Sequence, residues 1–198
     1  MTFLRADELV AVIVTVSFAA GLNVYATVAT LGLLAQADMV SLPEPLALLE
    51  SWWVIGASGL LFGVEFFADK IPLFDLVWNA LQTVVRVPAG ALLAWSATMS
   101  LSPGGQFLAA VAGGLIALAA HGGKLVVRSA VTAEPVSVSV FSLAEDAVAI
   151  GLTWFATQYP YAAAAIVLVL LVGVALVVRW VVRALRLTFR GRASAASP

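Results

Sequence analysis

The sequence predicts an all-α integral membrane protein with six transmembrane helices, one or more of them broken or kinked. Hydrophobic residues make up 63% of the 198 and charged residues only 11%, too few to clothe a soluble fold of this size. Mean hydropathy is +1.07. Apolar runs of about 20 residues, the length a helix needs to cross a bilayer, recur between short polar breaks. Together these predict one bundle over residues 1–190 and a disordered cytoplasmic tail over 191–198.

The first predicted span runs from Leu9 to Ala37 without a charge. Asp7-Glu8 and the length of this run argue against a cleavable signal peptide. An acidic, proline-containing loop follows, with Asp38, Glu44 and Glu50. Trp52-Trp53 then marks a membrane interface at the start of a second span, 52–69. A third covers 73–100 and ends at Ser102-Pro-Gly-Gly105, and a fourth covers 106–120. The fifth, 136–158, starts after Pro135 and stops at Tyr159-Pro160-Tyr161; the sixth is 161–178.

Basic residues orient this map. With six crossings and a cytoplasmic N-terminus, one side carries Arg5, Lys70, Lys124, Arg128 and the five arginines after position 178. The opposite loops, 38–51, 100–105 and 158–161, carry no Lys or Arg. That is the positive-inside pattern, and it predicts a cell-membrane protein with both termini in the cytoplasm. Arg179, Arg183, Arg186 and Arg190 recur at helical spacing and predict contact with anionic lipid headgroups.

Arg86 alone breaks the pattern. It falls near the middle of the third span, as Asn23 does in the first and Glu145-Asp146 in the fifth. An arginine in hydrocarbon cannot shed its proton, so it needs a partner. The simplest partner is one carboxylate of the adjacent acidic pair. Glu145 and Asp146 sit about 100° apart around a helix, so the other would face a cavity as a proton or cation site. Pro88 and Gly90 predict a helix break beside Arg86, because proline frees the carbonyl four residues before it. Asn23, Arg86, Glu145 and Asp146 are therefore the candidate substrate- or ion-binding set. Glu65, Asp69, Lys70, Asp75, Asn79, His121 and Lys124 are candidates for a cytoplasmic path, although snorkelling to the interface also accounts for Lys70, Lys124 and Arg128.

Small residues predict packing. Gly59-x-x-x-Gly63 and the group Ala109, Ala110, Gly113, Gly114 and Ala117 allow close helix contact, within the bundle or in a homo-oligomer. Gly59-Leu-Leu…Lys70 also resembles Gly114-Leu-Ile…Lys124, which suggests a parallel duplication of spans 2–3 and 4–5. Cysteine is absent and the single histidine has no second soft ligand beside it, so neither a metal nor another cofactor is expected. No HExxH pair, nucleophile with a base, or phosphate loop points to an enzyme, and no nucleic-acid partner is expected.

Several stretches are similar to a family of small bacterial membrane proteins known only as a domain of unknown function. They are Gly21-Leu-Asn-Val-Tyr-Ala-Thr27, Val64-Glu-Phe-Phe-Ala-Asp-Lys-Ile-Pro72 and Arg86-Val-Pro-Ala-Gly-Ala-Leu92, with Ala120-His121, Lys124, Glu134-Pro135 and Ser142-Leu-Ala-Glu-Asp146. The resemblance spans almost the whole chain, but it departs at Val136-Ser-Val-Ser-Val140, where the family carries aromatic and asparagine residues. It implies that the polar residues named above belong to the family's signature, and it implies no substrate. The expected function is a transporter or channel for an ion or small polar solute. The alternative is a scaffold or lipid-binding module whose buried charges only fix packing.

Overall fold

The computed structural model describes residues 6–68, 72–131 and 135–195, with side chains for 7–68, 78, 81–127 and 139–183. Among the described residues every regular element is helical. The α-helices are α1 (Ala6–Leu22), α2 (Val24–Gln36), α3 (Trp52–Ala68), α4 (Pro72–Ala97), α5 (Pro103–Val131), α6 (Pro135–Gln158) and α7 (Pro160–Ala195). A short 3-10 helix, Glu44–Glu50, precedes α3. Helices α4 to α7 each begin on a proline, whose fixed φ suits a first helical turn and whose missing N–H costs nothing there.

Within α5, α6 and α7, the segments Pro103–Val127, Ser139–Gln158 and Pro160–Arg183 are long and apolar enough to cross a membrane. The 3-10 helix and α3, bent by 64°, make a fourth if taken as one span. The outer faces are apolar: Trp53 is 88% exposed, and Leu168, Val169, Val172 and Leu176 line the outside of α7. A lipid exterior tolerates such a surface, whereas water does not.

The first predicted span is not one rod. Helix α1 ends at Leu22, and α2 turns back along it. Tyr161, in the first turn of α7, hydrogen-bonds Asp7 in the first turn of α1, so both helices start at the same end of the bundle. From there α1 descends antiparallel to α4, with Ser17 near Gly90 and Gly21 near Arg86. Helix α2 then climbs back. Leu31 lines the same small apolar cavity as Leu9 and Val12 of α1 and Ala97 at the end of α4. Gly32 packs against the Leu49 carbonyl and Ile55, in the first turn of α3. Seventeen residues give α1 a reach of about 25 Å, so the tip of this hairpin lies deep in the bundle.

The hairpin corrects two expectations. The segment 9–37 does not pass from one end of the bundle to the other as one helix, and α1 starts at the opposite end from the one toward which α7 runs. We call these the acidic end, with Asp7, Glu8, Asp38, Glu44 and Glu50, and the basic end, where α7 finishes. Three further differences are local. Helix α4 is continuous through Pro88, so the expected break lies at Asn23 instead; a single proline removes one backbone bond, and the neighbouring helix holds the rest in line. Residues 191–195 of the expected disordered tail are helical, while 196–198 lie outside the described residues. Helix α5 continues past the expected limit at 120 to Val131, which places His121 and Lys124 on a helix and not in a loop.

Small residues bring α1, α4 and α5 together. A Cβ on Gly113 would lie 2.5 Å from the Gly90 carbonyl oxygen, and one on Gly21 would lie 2.4 Å from that of Ala117. These backbones touch, as expected for Gly113 and Ala117. The Gly59/Gly63 pair makes no such contact among the described residues, where nothing lies within 4 Å of a Cβ at either position.

Candidate functional site

Asn23 explains why the hairpin turns where it does. Its backbone is extended, with φ −150° and ψ 103°, so it cannot continue α1. Its N–H still donates to Ala19 O at 2.9 Å, and its own carbonyl accepts from Thr27 N at 3.1 Å, closing one helix and opening the next. The side-chain oxygen accepts from Ala26 N at 2.9 Å, the usual satisfaction of a helix N-terminus by asparagine. The amide nitrogen is left to donate outward, and it reaches Asp146 Oδ1 on α6 at 2.9 Å. One buried side chain thus caps α2 and ties the hairpin to α6.

Arg86 stands against the other half of the break. One guanidinium nitrogen donates to the Gly21 carbonyl at 3.3 Å and to His121 Nδ1 at 3.0 Å. The second forms an ion pair with Glu65 of α3. A guanidinium can only donate, so His121 Nδ1 is the acceptor and the proton of this ring sits on Nε2. Nε2 lies 2.8 Å from Thr83 Oγ1, which takes it. The hydrogen-bond partners therefore assign His121 as neutral. Lys124, one turn further along α5, places Nζ 2.9 Å from Glu145 Oε2.

These pairs form one cluster. Gly21 and Asn23 flank the hairpin tip, His121 and Lys124 share a face of α5, and Glu145 and Asp146 are neighbours on α6. Burial is nearly complete, with Arg86 at 0%, Glu65 and His121 at 1%, Lys124 at 4%, Asp146 at 5% and Glu145 at 6% exposure. The broken helix is matched in charge. The carbonyl end of α1 meets the Arg86 cation, and the amide end of α2 meets Asp146 through Asn23, each the favoured sign for that end of a helix dipole.

The structure brings together Asn23, Arg86, Glu145 and Asp146 but changes the pairing. Arg86 does not take a carboxylate from the adjacent acidic pair. Glu65 takes that place, because α3 presents it to the face of α4 that carries Arg86, while Lys124 reaches Glu145 first. Glu65, His121 and Lys124 were expected along a path or at the surface, yet they are buried in the cluster itself. Asp69 and Lys70 lie outside the described residues, as do the side chains of Asp75 and Asn79. Thr83, Gln82 and Tyr25 were not foreseen; Gln82 Nε2 donates to Tyr25 Oη at 3.3 Å beside the hairpin tip. The signal for Gln82 was present, since Asp75, Asn79, Gln82 and Arg86 recur at helical spacing in the sequence of an otherwise apolar helix.

Residues 10–180 match the family described as Domain of unknown function (DUF4126). The chain belongs to that family. The match takes in the hairpin and every residue of the cluster, and it stops before the last four arginines. No curated protein and no solved structure matches the chain.

Proposed function

We propose that this protein is a small transporter or channel that passes an ion or small polar solute through the cluster at the hairpin tip. One observation carries the reading: a helix interrupted at Asn23, whose two half-helix ends meet Arg86 and Asp146 within a buried charged cluster drawn from four other helices. Irregular backbone survives at membrane depth only when it is buried in protein or lines a wet cavity. Discontinuous helices with opposed dipole ends are a recurrent way to build a substrate site within a bilayer. On this reading α3 to α7 cross the membrane, and the α1–α2 hairpin re-enters from the acidic end. A duplication of the pairs α3–α4 and α5–α6 agrees with their shared directions. The arginine-bearing end of α7 faces the cytoplasm of a cell membrane and meets anionic headgroups, by the positive-inside preference.

The test is flux into proteoliposomes containing the purified protein, measured for protons, alkali cations, halides and small uncharged polar solutes. A flux that Arg86→Met and Asn23→Ala both reduce supports the proposal. No flux for any member of the panel refutes it and leaves a scaffold whose charges serve packing alone.

A further inference from the structure

We infer that Gln82 and Arg86, at the hairpin tip, bind a small uncharged solute of the carboxamide type, one that both accepts and donates hydrogen bonds. The inference rests on the transport reading for its biological sense, since it names a solute class for the same site, but it is tested as binding. Two buried atoms of α4 carry it, Gln82 Oε1 and Arg86 Nε.

Gln82 is 2% exposed and Arg86 0%. Among the described residues Gln82 Oε1 has no hydrogen-bond donor and Arg86 Nε has no acceptor. Buried polar atoms nearly always have a partner, in the protein or in a bound molecule, because burial without one is costly. The bonds that these side chains do make fix where that partner sits. Gln82 Nε2 donates to Tyr25 Oη at 3.3 Å, and a terminal nitrogen of Arg86 donates to the Gly21 carbonyl at 3.3 Å. Gly21 and Tyr25 lie on either side of Asn23, so both side chains end against the hairpin tip. They stand one helical turn apart on α4, with Cβ atoms about 6 Å from each other. One small molecule spans that gap with two hydrogen bonds.

These two atoms set the chemistry. Arg86 Nε–H requires an acceptor, and Gln82 Oε1 requires a donor. A halide or a carboxylate only accepts, and it would face the lone pairs of the Gln82 oxygen. A cation would face the Nε–H. A neutral carboxamide serves both, its oxygen accepting from Nε–H and its own N–H donating to Oε1. Water can also join the two, but a carboxamide carries acceptor and donor on separate atoms, which suits two groups a helical turn apart.

Oxyanions are disfavoured for a further reason. They are gripped by two parallel N–H groups of a guanidinium. Here one terminal nitrogen of Arg86 is taken by the Gly21 carbonyl and His121 Nδ1, and the other by Glu65. At the same tip Val24 and Tyr25 open α2, and helix geometry gives their N–H groups no acceptor within it. Such an end favours a solute that presents a carbonyl oxygen.

Saturation-transfer NMR on the purified protein in detergent micelles tests the inference with three solutes of one shape. Acetamide accepts and donates, acetate only accepts, and acetamidinium only donates. The expected result is saturable transfer to the acetamide methyl group, and none above the empty-micelle level for either ion. Gln82→Met keeps the side-chain length but removes the oxygen, and it should weaken acetamide binding about tenfold, the effect of losing one modest contact. If that variant does not fold, the three-solute series on the unaltered protein decides. Either ion binding as well as acetamide overturns the inference, as does acetamide binding that a folded Gln82→Met leaves unchanged. No acetamide binding overturns it too and leaves water as the partner of the two atoms. Proteoliposome swelling separates the site from transport. Acetamide that binds but is not passed, with no other flux, upholds the site and sinks transport, whereas ion flux without acetamide binding does the reverse.

Discussion

The pairing of Arg86 with Glu65 makes the sharpest quantitative prediction. Arg86→Met removes the guanidinium and leaves three buried acceptors behind: the Glu65 carboxylate, the Gly21 carbonyl and His121 Nδ1. Breaking a buried ion pair by deleting one partner costs about 3–5 kcal/mol, because the remaining charge stays in a medium that cannot solvate it. Glu65→Leu alone should cost a similar amount, now with an unmatched guanidinium. The double variant removes both charges, and apolar replacement of a buried pair is often neutral, so most of the loss should return. The coupling energy should therefore be about 2 kcal/mol or more, measured as a double-mutant cycle on unfolding free energies in detergent micelles. A parallel cycle of Arg86→Met with Glu145→Leu should give a smaller coupling, since Glu145 is held by Lys124. Additivity of the Arg86 and Glu65 variants to within about 0.5 kcal/mol would refute the pairing, and the larger coupling appearing with Glu145 would restore the sequence-based expectation.

Further outcomes follow from the hairpin and its packing. Asn23→Ala should destabilise by about 1 kcal/mol for the lost cap, plus about 1.5–3 kcal/mol for the charged hydrogen bond to Asp146, read from the same unfolding measurement. Gly21→Ala forces a Cβ into the Ala117 carbonyl, at 2.4 Å, and should cost about 1–3 kcal/mol, whereas Gly59→Ala, with nothing within 4 Å, should stay within about 0.5 kcal/mol. The chain has no cysteine, so single introduced thiols report sidedness without background. In oriented vesicles Glu8→Cys and Ser41→Cys should react with an impermeant maleimide from one side, and Ser194→Cys from the other.

Much of the fold was legible because its signals are collective. Charge scarcity and apolar runs identify membrane helices without any one residue deciding, and the expected start after Pro135 lies beside the helix that opens at Pro135. The candidate site was legible as a set of residues and not as a set of bonds. Counting residues inward from span ends gives a Cα depth, but Arg86 and Lys124 carry their charges several ångströms from the backbone. Glu65, in the last turn of α3, thus looked too shallow to meet Arg86, although a guanidinium reaches it. The neutrality of His121 had no sequence signal at all, since it follows from which atom of a neighbouring helix donates to which ring nitrogen.

The hairpin escaped for a more instructive reason. The positive-inside pattern tests a topology only through the basic residues that change sides when the topology changes. Folding the segment 9–37 back on itself moves only what precedes it, and the sole basic residue there is Arg5. Every later loop keeps its side, so six crossings and five crossings plus a re-entrant hairpin agree almost equally well with the charges. The discriminating signal was local. Asparagine within an apolar run, directly after glycine and followed by a fresh helical sequence, is a helix start, and a helix start in the middle of a span means the span is two helices. Proline seemed the stronger breaker because it deletes a hydrogen bond. Asn23 ends α1 more effectively because it supplies the next helix with a cap and Asp146 with a donor, so the break is satisfied on both sides.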